Sequence, residues 1–174
     1  MQIGFSAPHR AATEAGMRIL RQGGTATEAM VAAAATISVV YPHMNSIGGD
    51  GFWLVHNPGQ PAPIAIDACG RSASDVSRYQ AVDSLPARGG QACLTQAATV
   101  AGWQLALQQD KRAALPLDKI LAPAIEYAEQ GFEVSASMAK AIAKVMDEEN
   151  VPESFVALYT NHNQPLKQGE LFSN

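Results

Sequence analysis

The side chain with the most chemical scope in this chain is Arg71, in the run Asp67-Ala68-Cys69-Gly70-Arg71-Ser72. It follows an apolar stretch and a glycine in a region of few charges. There a guanidinium can take a carboxylate in a bidentate fork, or it can bind the carbonyls of its own loop. Cys69, two residues earlier, can line the same pocket or serve as a small buried apolar residue, since a reactive thiolate needs a nearby base or a cationic setting. Arg71 and Cys69 are therefore the candidate substrate-binding residues. His43, Ser46 and Asp50 are the residue types of a nucleophilic triad, but a triad is defined by geometry and not by closeness in sequence. His43, Asp50 and His56 lack a recognisable metal-ligand spacing. No catalytic residue and no metal site is assigned in this chain. Gly48-Gly49-Asp50-Gly51 resembles a phosphate cradle only superficially. It precedes a strand instead of joining a strand to a helix, and it has no following Lys-Ser/Thr pair. Its glycines are expected to serve positive φ or close backbone packing.

The elements that must position these residues centre on 41–72. Two short apolar runs, Phe52 to Val55 and Ile64 to Asp67, flank the turn-rich Asn57-Pro58-Gly59-Gln60-Pro61, which predicts a β-hairpin whose mouths gather the polar groups. Gln2 to Ser6 is expected to form a short strand. Pro8 then suits a first helical turn, with Ser6 or Ala7 before it, and Ala11, Ala12, Ala15, Ile19 and Leu20 recur at helical spacing up to Gly23-Gly24. Thr25 or Thr27 caps a second helix, nearly all small or apolar over Ala29 to Val40, expected to be buried on all sides and packed beneath the hairpin. Ser72 to Leu94 reads as irregular, with a single turn at Asp75 to Tyr79. Helices are expected over Thr99 to Lys111, Asp118 to Gln130 and Ser135 to Glu149, with Pro123 marking a kink or a late start. Val151 to Asn174 reads as loops with a turn or two of helix. The whole is one partial domain, 1–174, with its hairpin core at 41–72 and its helical part at 99–149. Two strands over one helix do not close a two-layer core, so the sequence is expected to be incomplete on its own.

Composition narrows the function. Across 174 residues, 47% are apolar and 16% charged, a thin solvated shell that leaves room for surfaces awaiting a partner. A net charge of −4 with scattered Lys and Arg gives no footprint for nucleic acid or an anionic membrane. The two cysteines, Cys69 and Cys93, match neither a disulfide framework nor a CxxC site, and no secretory signal or membrane-spanning run is present. A cytoplasmic setting is the expectation.

Three segments resemble one family. APHRAATEAGMRILRQGG with Thr25 to Val40, IGGDGFWLV with IAID, and TVAGWQLAL with LPLDKILAPAIEYAEQGF are similar, in this order, to the N-terminal half of the large subunit of γ-glutamyltranspeptidases, and the closing QPLKQGELFSN extends the similarity over essentially the whole chain. The resemblance implies an α+β fold, helix-rich with a central β-hairpin, forming part of an N-terminal-nucleophile hydrolase αββα sandwich. It further implies a self-cleaving precursor and acyl transfer from an amide, or a γ-glutamyl group, to water or an amine, with no cofactor. The nucleophile would be a Thr at the start of the small subunit, using its own α-amine as base. That Thr is expected to lie outside this chain. The implied partners are the rest of the large subunit, the small subunit and a small-molecule amide or γ-glutamyl substrate. Two departures qualify the resemblance. The family's transpeptidases place an Arg two residues after the position of Asp67, where Cys69 stands here, and the wording CGRS is closer to oxamate amidohydrolase-like or acylase-like members. Gln96-Ala97-Ala98 occupies a place where the family has Pro-Gly. The competing expectations are a non-catalytic truncated or scaffold protein and an unrelated Cys-dependent enzyme.

Overall fold

The computed structural model describes residues 3–80, 83–85, 92 and 96–173. In chain order its elements are α1 (Arg10–Arg21), α2 (Ala26–Val40), β1 (Gly51–Val55), β2 (Ile64–Ala68), a 3₁₀ turn (Ser77–Tyr79), α3 (Thr99–Gln109), α4 (Leu117–Gln130), β3 (Phe132–Glu133), α5 (Ala136–Met146), α6 (Glu153–Tyr159), β4 (Thr160–Asn161), β5 (Gln164–Pro165) and β6 (Leu171–Phe172). They form two compact units, Met1–Ser46 with Ala114–Asn174, and Ile47–Ala113. Cys93 and the Pro/Gly-rich residues 86–90 lie outside the described residues.

The first unit is helical because its sequence supplies both caps and a small-residue interface. The His9 Nδ1 accepts the Ala11 N–H at 3.2 Å, so α1 starts at Arg10 and Pro8 stays outside it. The cap is thus His9 and not Ser6 or Ala7. Residues 3–6, the described part of the strand expected over Gln2 to Ser6, form none. The helix stops because Gly23 adopts φ +86°, a left-handed value that glycine takes without a Cβ penalty. Gly24 leaves no room for a side chain, since a Cβ would stand 2.5 Å from Ile19 Cγ2.

α2 opens with a complete capping box. Thr25 Oγ1 accepts the Glu28 N–H at 3.2 Å and Glu28 Oε2 accepts the Thr25 N–H at 2.7 Å. Its alanines then let it lie against α1 on one side and α4 on another, where Ile120 and Ala124 are buried. α4 runs through Pro123 without a break, so the late-start reading of that proline falls. It ends at Gly131, whose φ of +78° and contact with the Phe172 carbonyl exclude a side chain. That glycine turns the chain into β3, which pairs antiparallel with β6 and joins Phe132 to Phe172, with ring centroids 5.2 Å apart. Val40, Val134, Met138 and Ile142 complete this part of the core. The closing residues hold the short helix expected of them, α6, and in addition the three short strands β4, β5 and β6.

In the second unit β1 and β2 pair antiparallel with Gly51 opposite Ala68 and Val55 opposite Ile64. The hairpin is the one expected, with Gly59 at φ +86° in its turn. Within this unit the helix that packs on it is α3. Gly102 brings the α3 backbone onto the sheet face, and a Cβ there would meet Ala68 Cβ at 2.7 Å and Trp53 Nε1 at 3.2 Å. Strand periodicity sends Phe52 and Leu54 to the opposite face, where they are 71% and 77% exposed.

Candidate functional site

The mouth of the hairpin is built from the residues flanking the last pair of the ladder. Continuing the register beyond Gly51 and Ala68 sets Asp50 opposite Cys69. Asp50 Oδ1 accepts the Gly70 N–H at 2.8 Å, and Asp67 Oδ1 accepts the Cys69 N–H at 3.0 Å. The loop 67–71 is thus tied to both strands by carboxylates. On its other side Gly70 abuts the chain before α3 so closely that a Cβ would overlap the Gln96 carbonyl oxygen and come within 2.8 Å of its amide nitrogen. The Gln96 N–H in turn donates to the Arg71 carbonyl at 3.1 Å.

The glycine cluster finishes the frame. Ala98 gives α3 no side-chain cap, and its first amides are satisfied from outside the helix. The Gly49 carbonyl accepts the Ala98 and Thr99 N–H groups, both at 3.1 Å, together with the Thr99 hydroxyl at 2.7 Å. Gly49 and Gly51 are not among the residues with positive φ, and a Cβ at Gly49 would meet open space. The Gly49 carbonyl caps α3, and of the two roles expected of these glycines, positive φ or close backbone packing, the first does not apply to Gly49 or Gly51.

Arg71 is exposed, and its guanidinium has no hydrogen-bonding or ion-pair partner among the described residues. Its backbone is fixed while its charged end stays open to a ligand. Cys69 is also exposed, which overturns its reading as a small buried residue. Loss of hydration at the mouth, then the neighbouring Asp50 and Asp67 carboxylates, push the thiol above its ordinary range. Less thiolate is then present at a given pH, so peptide-resolved alkylation of Cys69 by iodoacetamide at pH 8 should be slower than that of an unstructured thiol. Asp50→Asn removes a negative charge, lowers the thiol back toward its ordinary range, and should accelerate the reaction about 2–5-fold. An unchanged rate would show that the two groups do not interact.

The other sequence candidates have different duties. His43 Nε2 meets Ser137 Oγ at 3.1 Å, and its ring lies edge-on to Tyr41 with centroids 4.3 Å apart. Burial, then the nearby His9, hold His43 below its ordinary range. It is part of the helical unit's packing. Among the described residues no group of three or more His, Cys, Asp or Glu side chains is placed to hold a metal ion, so His43, Asp50 and His56 are not brought together as one. Asp50 was missed as a loop tether and Gln96 as its counterpart. The hairpin's own register carried the signal for Asp50, whereas nothing in the sequence brings residue 96 to residue 70.

The family model for γ-glutamyltranspeptidase matches residues 12–174. The chain belongs to the γ-glutamyltranspeptidase family. Among curated members it is 51% identical over 147 residues to the oxamate amidohydrolase proenzyme of Klebsiella pneumoniae, covering 82% of this chain and 28% of that protein. It is 32% identical over 167 residues to the glutathione hydrolase proenzyme of Escherichia coli, covering 91% of this chain and 28% of that one. Among solved structures the Helicobacter pylori γ-glutamyltranspeptidase superposes with a TM-score of 0.86 at 25% identity, over 99% of this chain and 51% of that one. The chain thus spans 28% of the length of these curated members. Its helix-rich α+β architecture with small sheets is part of the family's N-terminal-nucleophile hydrolase sandwich. No helix among the described residues is long and apolar enough to cross a membrane.

Proposed function

We propose that this chain supplies one rim of the substrate pocket of a γ-glutamyltranspeptidase-family amidohydrolase, with Arg71 holding the substrate's carboxylate and Cys69 beside it. The complete protein transfers the acyl group of an amide to water or an amine. A Thr hydroxyl at the start of the small subunit, outside this chain, attacks the amide carbon, the amine leaves with a proton, and water or a second amine releases the acyl group. The remaining large subunit and the small subunit, produced by self-cleavage of a precursor, complete the site.

The observation that carries this reading is the anchored backbone and open guanidinium of Arg71 at the hairpin mouth. Cys69 stands where the transpeptidases have their arginine, which favours a compact substrate whose carboxylate lies next to its amide over a γ-glutamyl group. Oxamate is the substrate named for the 51% identical relative, and it has that shape.

The test is ammonia release from oxamate by the complete, processed protein. Arg71→Ala should raise KM about 10–100-fold with a smaller change in kcat, as expected for a lost charge-assisted fork. Arg71→Lys, which keeps the charge and loses the fork, should fall between. Unchanged KM in Arg71→Ala would overturn the assignment.

A further inference from the structure

Resting on the reading of Arg71 just given, we infer that Asp50 is the positioning residue that aims Arg71, so that substrate selectivity is set partly from the opposite strand. Three observations converge on it. The Asp50 carboxylate holds the Gly70 N–H at 2.8 Å, one residue before Arg71. The Asp50 backbone is itself fixed, because Thr99 Oγ1 donates to the carbonyls of Gly49 and Asp50 at 2.7 and 3.4 Å. Beyond Gly70, the Gln96 N–H pins the Arg71 carbonyl. The loop is therefore gripped at residue 70 from the residue before β1 and at residue 71 from the chain leading into α3.

Of these contacts, the one from Asp50 is the only side-chain grip on Gly70 among those described. Releasing it frees Gly70 and the peptide that leads into Arg71, while the Gln96 bond leaves the carbonyl end in place. The guanidinium then swings about a fixed point. A bidentate fork tolerates little such rotation, because both N–H donors must meet both carboxylate oxygens. Charge alone gives the opposite expectation. A carboxylate at the mouth repels an anionic substrate, so if Asp50 acted only as a charge its removal would lower KM.

The experiment is a double-mutant cycle on the complete, processed protein with oxamate as probe. Asp50→Ala should raise KM about 10-fold in the parent and no more than about 2-fold in the Arg71→Ala background, because its effect passes through the arginine. Asp50→Asn keeps an oxygen acceptor for Gly70 and should recover most of the loss. Should Asp50→Ala give no folded protein, Asp50→Ser, too short to reach the Gly70 amide, carries the same expectation. An equal rise in KM in both backgrounds would mean that Asp50 acts independently of Arg71, and the inference fails. A fall in KM in the parent would mean that repulsion dominates, and it fails again. If Arg71→Ala alone leaves KM unchanged, the reading of Arg71 fails first, whatever Asp50 does.

Discussion

Glu28→Ala should destabilise the helical unit by about 3–5 kcal/mol, the largest loss expected from any single side chain here. Glu28 is 1% exposed, and its two oxygens accept three backbone amides. Oε2 takes the Thr25 N–H, closing the capping box, while Oε1 takes the Ala114 and Leu115 N–H groups, each at 2.7 Å. One carboxylate thus finishes the start of α2 and holds the segment that leads into α4, 86 residues away in sequence. Alanine leaves all three donors without the buried carboxylate that holds them together. Glu28→Gln keeps an acceptor for the pair at 114–115 and turns an N–H toward the Thr25 amide, so it should cost about 1–2 kcal/mol. Chemical unfolding followed by circular dichroism checks the order of the two variants. Hydrogen exchange localises the loss, with protection expected to fall at Thr25, Ala114 and Leu115 together. Loss at Thr25 alone would show that the long-range arm contributes nothing.

Gly70→Ala should raise KM for a carboxylate-bearing amide about 100-fold while leaving thermal stability nearly unchanged. The added methyl overlaps the Gln96 carbonyl, a backbone atom that cannot step aside by changing rotamer. Either the loop 69–71 or the residues before α3 must move, and both routes break the bond from the Gln96 N–H to the Arg71 carbonyl. Stability is spared because the loop is largely exposed and the hairpin's packing on α3 lies at Trp53, Ala68 and Gly102. Steady-state kinetics beside a thermal melt separates the effects. A parental KM in Gly70→Ala would show that the position of Arg71 is not set by this contact.

The sequence was most legible where chemistry is local. Gly23 and Gly131 marked helix ends, Thr25 with Glu28 and Ser135 marked starts, and the alternation around the turn at Gly59 marked the hairpin. What it hid was mostly non-local. β3 and β6 are two-residue strands set far apart in the chain, with no periodicity of their own to read. The small β4–β5 hairpin was different, since its turn, His162 and Asn163 with φ of 49° and 61°, is a two-residue type that asparagine favours. At the site, Arg71 and Cys69 stood out by residue type. Asp50 looked like a member of a failed triad because its duty depends on which residue lies across the ladder.

The helical unit is discontinuous, with residues 47–113 set between its two parts. During synthesis α1 and α2 emerge about 4–15 s before α4 does, at roughly 5–20 residues per second. Through that interval the alanine-rich face of α2 and the lower half of the Glu28 carboxylate have no permanent neighbour. The hairpin with α3, being contiguous, can settle first. Substitutions that slow the arrival or docking of α4, such as those at Leu115 or Ile120, should therefore reduce the yield of native protein more than they reduce its equilibrium stability, and chaperone dependence in the cell is the property in which they would show.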